Sequence, residues 1–364
     1  FFTAVFVTRV IYERFLDKNK FTDLTFTTKL SSKWFQERKY NFIGASKKVG
    51  FVFVALFVVM VASFALRGMA KSIEFTGGRN YVVKFEQKVS EGDIQKLIKE
   101  QVSDANVQVI SYGTDGDQVR ISTNYMIEDK TAKADSIVEK TIYDALVAGE
   151  MLAEDVTFER FCDTQDAEGG SIKSSQKVDS TVAEEISRSA VISVIIAMIA
   201  IFVYILVRFR NVAYSVGAIS ALALDVVMIL GCYSLLHGFL PMSLELDQIF
   251  IGAILTAIGY SINDKVVIFD RVREFTHLYP KRDKLDLFNT SLSTTLARTL
   301  NTSFSTLVVL LCIFILGGDS IRSFSFAMIL GVVFGTLSSI FVAAPVAYKI
   351  VNFQIARKAK KHGK

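Results

Sequence analysis

Six apolar runs, each long enough to cross a hydrocarbon core of about 30 Å, leave this chain one economical fold: a helical bundle in a bilayer. They fall at residues 49–66, 190–207, 212–236, 249–269, 296–316 and 324–346. Of the 364 residues, 51% are hydrophobic and only 21% are charged, which excludes intrinsic disorder and argues against an ordinary soluble enzyme. The formal net charge of +5 is too mild to point to nucleic acid. The three cysteines, Cys162, Cys232 and Cys312, are too widely spaced for a disulfide framework or a metal cluster.

Basic residues orient the runs. Nine Lys/Arg precede the first run, from Arg14 to Lys48. Arg208 and Arg210 fill the link between the second and third runs. Arg271, Arg273, Lys281, Arg282 and Lys284 crowd the link between the fourth and fifth, and residues 349–364 form a basic tail. The alternate links are nearly free of basic residues, with Arg322 alone in 317–323. The pattern places both termini in the cytoplasm and residues 67–188 outside it. The opening residues 1–12 read as the tail of a preceding membrane helix, 13–48 as a basic cytoplasmic linker and 189–348 as a five-helix bundle. The chain therefore reads as the C-terminal part of a longer one.

Within 67–188 the periodicity changes. Residues 80–86 alternate as a strand, and Ser90 is placed to cap a helix with Ile94, Leu97, Ile98 and Val102 on one face. Val107–Tyr112 and Gln118–Thr123 read as a hairpin around 113–117. A second helix follows around Val138–Leu146, then a last strand at 156–161, with 164–177 as a linker. The order β-α-β-β-α-β predicts an α+β, ferredoxin-like domain inserted after the first span, in a one-plus-five membrane arrangement.

Small residues line several spans. Gly252, Thr256, Gly259 and Asn263 share a face, as do Gly331 and Gly335, and such stripes let helices pack closely in lipid. Ionisable residues inside the spans cost about 2.5–3.5 kcal/mol each on insertion scales, so they need a partner or a task. Asp264 lies about 9 Å from the cytoplasmic end of its span and Arg298 at about 8 Å depth. The two can meet as a structural ion pair or serve a function. Asp225, mid-span, is a packed protonated acid, a polar tie or a proton carrier. Lys265 points about 100° from Asp264 and is expected to snorkel to the cytoplasmic surface. Asp270 belongs to an interfacial charge cluster with Arg271, Arg273 and Glu274. Gly77 and Gly78 mark a tight turn where the first span feeds the external domain.

The run Leu255-Thr-Ala-Ile-Gly-Tyr-Ser-Ile-Asn-Asp264, with its continuation to Glu274, closely resembles SecF of the bacterial SecD–SecF export complex. The resemblance extends to Ile73-Glu-Phe-Thr-Gly-Gly78, to Leu296-Ala-Arg-Thr-Leu-Asn-Thr-Ser-Phe-Ser-Thr306, and from Gly331 to Ala343. It implies a membrane fold of the RND type and the SecF half of a fused SecDF protein. It also implies use of the proton-motive force to help draw precursor proteins out of the SecYEG channel after SecA has pushed them in. The implied partners are the SecD half, SecYEG, YajC and YidC, precursor proteins and the lipid bilayer. No cofactor is implied beyond the coupling protons. Asp264 and Arg298 match the family's intramembrane charged residues, and the implied mechanism is a charge switch in which their separation lets Asp264 take up a proton. The Gly77-Gly78 turn is then a flexing point. Three departures stand out: Lys265 where the family has Thr, Leu224 where it has His before Asp225, and Lys177-Val-Asp-Ser-Thr181 where it has Val-Gly-Pro. Two other readings are a small-molecule exporter of that fold and a non-transporting scaffold subunit. The sequence carries no nucleophile–base pair or nucleotide site, so enzymatic chemistry is not expected.

Overall fold

The computed structural model describes residues 3–17, 40–102, 105–112, 117–129, 131–165, 169–240, 242 and 244–362. The chain forms two units, residues 1–39 and 40–364. In the first, a π-helical turn Thr3–Val7 leads into helix α1 (Thr8–Leu16). Most of the basic linker expected at 13–48, and the tip of the hairpin at 113–116, lie outside the described residues.

The second unit opens with α2 (Phe42–Arg67), which starts ahead of its apolar run because the Asn41 side chain caps it by accepting from the Gly44 N–H at 2.9 Å. A short α3 (Ile73–Thr76) then leads into an inserted α+β domain: β1 (Gly78–Lys84), α4 (Glu91–Gln101), β2 (Val107–Tyr112), β3 (Gln118–Thr123), α5 (Ala132–Ala148), α6 (Phe158–Phe161) and β4 (Ser171–Val178). The sheet is antiparallel throughout, in the order β2-β3-β1-β4. Val83, Ile121, Ile94, Ile98, Ile142 and Leu146 fill one core between the sheet and helices α4 and α5.

Two local expectations are corrected here. Residues 156–161 are not a strand: the Thr157 hydroxyl accepts from the Arg160 N–H and winds the segment into the single turn α6. The last strand is instead β4, inside the supposed linker. An edge strand exposed on one face has little need of apolar alternation, and β4 buries only Ser171 and Ile172. Ser90 occupies the N-cap position of α4 as expected, with no side-chain capping bond.

Gly77 and Gly78 have φ of +76° and +153°. A Cβ on Gly78 would stand 2.8 Å from Ile73 Cγ2 and 2.9 Å from the Thr123 carbonyl. One on Gly77 would meet the Ser180 backbone at 3.0 Å, so both backbone angle and space require glycine here.

After the domain come α7 (Ser180–Phe209), α8 (Val212–Leu236), α9 (Gln248–Leu278), α10 (Lys284–Leu316), α11 (Asp319–Ser338), a π-helical segment Ser339–Ala343 and α12 (Ala344–His362). Pro345 explains the π segment: it lacks an N–H and its ring crowds the carbonyl four residues back, so the preceding turn widens. Among the described residues, six helices are long and apolar enough to cross a membrane, with the π segment inside the last.

Glycines set the closest helix contacts. A Cβ on Gly331 would come 2.4 Å from Ala257 Cβ, and one on Gly335 would come 2.6 Å from Ser261 Oγ, locking α11 onto α9. Gly252 and Gly259 differ: nothing lies within 4 Å of a Cβ there, and both are exposed, so the packing expected of them is not made within this chain. Gly331→Leu is therefore expected to cost about 1–3 kcal/mol by overpacking. Gly252→Ala should be neutral or stabilising by up to about 1 kcal/mol. Thermal melting of the detergent-solubilised protein separates the two.

Candidate functional site

The domain and the bundle meet at the start of α9. Asp247 caps that helix, its side chain accepting from the Phe250 N–H at 2.6 Å. Glu74 of α3 accepts from the Gln248 N–H at 2.6 Å, and the backbone of residues 70–72 pairs with Leu246. Arg120 of β3 bonds the buried Glu245 at 3.1 Å. The sheet is thus tied to the segment just before the helix that carries Asp264 and Lys265, and α3 to that helix's first turn.

Sixteen residues along α9 from Gln248, Asp264 is 4% exposed, and its Oδ2 has no hydrogen-bond partner. Arg298 is exposed on α10, and no ion pair joins it to Asp264 among the described residues. It shares its outer face with Asn301, Thr302 and Ser305, while Asn263 shares the outer face of α9 with Gly252, Thr256 and Gly259. Tyr260 links the two helices through Thr306 at 3.2 Å. The ion-pair alternative left open by spacing is not formed. Two groups at one depth need not face each other.

The structure overturns the expectation for Lys265. It does not snorkel; it is fully buried, at 0% exposure. Its ammonium bonds Asp225 Oδ2 of α8 at 3.1 Å, Ser338 Oγ of α11 at 3.2 Å, and Ser261 Oγ one turn earlier in α9. Ser261 in turn donates to Asp225 Oδ2 at 2.8 Å. All three ammonium protons have acceptors. The reason is geometric: α9 packs against α8, α10 and α11, so a 100° step from Asp264 reaches another helix rather than lipid. Asp225 is accordingly a polar tie between α8 and α9, its carboxyl paired with the Lys265 ammonium. The sequence signal that could have found it is the pair of opposite charges, each well inside a span.

Asp270 lies in the charge cluster predicted for it, 2.8 Å from Arg273 and 3.6 Å from Arg208. Among the described residues no group of three His, Cys, Asp or Glu side chains could hold a metal ion. In the inserted domain, burial first and the neighbouring Glu139 carboxylate second push the Cys162 thiol up to about 11. At neutral pH its thiolate fraction is roughly 100-fold below that of a thiol with the ordinary value. Alkylation of a variant retaining only Cys162 should be slow by that factor relative to an unfolded control, with mass spectrometry reading the rate.

Ionisable side chains buried in a six-helix apolar bundle, with a polar domain fastened to one of those helices, define a polytopic membrane protein of the transport type. The chain belongs to the SecD/SecF protein-export family: residues 160–352 match the family "Protein export membrane protein SecD/SecF, C-terminal", and residues 62–89 match the "SecD/SecF GG Motif". It is 35% identical to the protein translocase subunit SecF of Rhodothermus marinus over 89% of this chain and 97% of that one. It is 30% identical to the protein translocase subunit SecDF of Thermus thermophilus over 90% of this chain and 41% of that one. Among solved structures, a crystal structure of the Thermus SecDF, described as a translocon-associated membrane protein, aligns with a TM-score of 0.75 at 27% identity. That alignment covers 97% of this chain and 42% of the SecDF chain, so this chain spans about two fifths of it.

Proposed function

We propose that this chain is the SecF portion of a proton-motive-force-driven accessory unit of the Sec translocon, which assists late translocation and release of precursor proteins across the bacterial inner membrane. The observation that carries the reading is Asp264. It is a buried carboxylate with an unpartnered oxygen, on a helix whose first turn is hydrogen-bonded to the inserted domain. A proton crossing a potential of 100 mV releases about 2.3 kcal/mol, enough to bias a two-state rearrangement. Protonation of Asp264 would shift α9, and Glu74 and Glu245 would pass that shift to the domain. The Gly77-Gly78 turn is the pivot.

Arg298, Asn301, Thr302 and Ser305 support a second part of the reading. A polar stripe exposed on a membrane helix is costly against lipid, so this face is assigned to the SecD half, where Arg298 meets its own counter-charge. Both termini are assigned to the cytoplasm and residues 67–188 to the periplasm. SecYEG, with YajC and YidC, completes the assembly.

The test is precursor release from energised inner-membrane vesicles with and without this chain and its SecD partner. The reading expects faster release with the pair present, and loss of that gain on adding an uncoupler. Release that ignores the uncoupler would favour the scaffold reading.

A further inference from the structure

Three oxygens from three helices converge on one point in the bundle: Asp225 Oδ2 from α8, Ser261 Oγ from α9 and Ser338 Oγ from α11. We propose that they form an alkali-cation cradle, and that in this chain the cradle is permanently occupied by the chain's own Lys265 ammonium. Lys265 is then a specificity-determining residue that shuts external monovalent cations out of the membrane core.

Several observations carry this. The oxygens are those that hard monovalent cations take, one carboxylate and two hydroxyls, with no soft ligand among them. The second Asp225 oxygen, Oδ1, is buried with no hydrogen-bond partner, so the carboxylate retains coordinating capacity that the ammonium does not use. Asp225 itself is 3% exposed. The surroundings hold the ligands in place: Ser338 also donates to the Gly335 carbonyl at 3.2 Å, and a side chain at position 335 would collide with Ser261 Oγ. Ser338 directly precedes the π-helical segment, where the helix path is already displaced. A lysine placed mid-span is costly unless its charge is balanced in place, and this set of oxygens balances it with all three N–H groups satisfied. What remains for an external ion is Asp264, next along the same helix, whose Oδ2 no side chain occupies.

The inference concerns cation binding by the chain itself, so it stands or falls separately from the translocase reading. Lys265→Ala should open the cradle. The purified, detergent-solubilised full chain would be melted in NaCl or KCl against choline chloride at constant ionic strength. For Lys265→Ala, the midpoint is expected to rise by roughly 2–5 °C for each tenfold increase in the binding cation above its dissociation constant. Wild type should show no cation-specific rise. Adding Asp225→Asn to Lys265→Ala removes the anionic ligand and should abolish the response. Recovery of Lys265→Ala in folded form only when extracted in sodium or potassium would carry the same meaning. A midpoint indifferent to both cations, a wild type that responds equally, or failure to recover the variant in any salt would overturn the proposal. In each of those cases Asp225 is met by a proton or by collapse of the bundle instead.

Discussion

Lys265→Met is expected to destabilise the bundle by about 3–5 kcal/mol, because it leaves the Asp225 carboxylate buried and uncompensated. The methionine matches the lysine stem in length, so the loss reports the charge rather than a cavity. Combining it with Asp225→Leu removes both charges and should restore stability to wild type or exceed it by about 1–4 kcal/mol, since a buried pair seldom outperforms apolar packing of similar volume. Ser261 would then lose both Asp225 and Lys265 as partners, which sets the lower end of that range, whereas Ser338 loses only Lys265 and stays satisfied by its bond to the Gly335 carbonyl. Denaturation of the solubilised protein, read as a double-mutant cycle, measures the coupling directly. Additive single and double variants would mean that the pair is not formed.

The second large effect lies in the inserted domain. Arg79 is only 1% exposed, although it stands on β1 beside the hydrophobic core. Its guanidinium donates to Asp135 Oδ1 of α5 at 2.7 Å and to the Tyr125 carbonyl at 2.8 Å, stitching the sheet to the helix and to the segment after β3. Arg79→Met should cost roughly 2–4 kcal/mol, since two charge-assisted bonds are lost and the Tyr125 carbonyl loses its donor. Amide exchange in β1 and β3 would then speed up by roughly 30- to 1,000-fold where opening limits it. Exchange confined to the wild-type rate would show that the arginine is replaceable. Acid should act on the same joint. Burial alone would raise the Asp135 carboxyl, but the bonds from Lys177 and Arg79 outweigh it and hold the group below its ordinary value. A folded value below the unfolded one means that its stabilisation is present above about pH 4 and is lost as pH falls through the folded value.

Much of this architecture was legible because its signals are long. Apolar runs and basic links marked six spans, and the hairpin strands Val107–Tyr112 and Gln118–Thr123 emerged with the boundaries their alternation suggested. The errors have local causes. β4 escaped notice because an edge strand of serines and lysines carries no period, and 156–161 misled because one capped turn looks like a short apolar strand. In the membrane, depth was readable and azimuth was not. Asp264 and Arg298, placed at matching depths by residue count, form no ion pair among the described residues, whereas Lys265, expected at the surface, is fully buried. Which helix a side chain meets depends on packing angles that one sequence does not display. Family likeness drew attention to Asp264; the neighbouring departure from the family pattern carried the larger structural consequence.

In the proposed division of labour Asp225 is held by Lys265 and Asp264 is the residue that answers to the proton. The most direct measurement is precursor release from energised vesicles containing this chain with its SecD partner, comparing wild type with Asp264→Asn at matched insertion. The account predicts loss of the uncoupler-sensitive component, with residual release equal to that of uncoupled wild type. Uncoupler-sensitive release unchanged in Asp264→Asn would contradict it and leave Asp264 a packing residue.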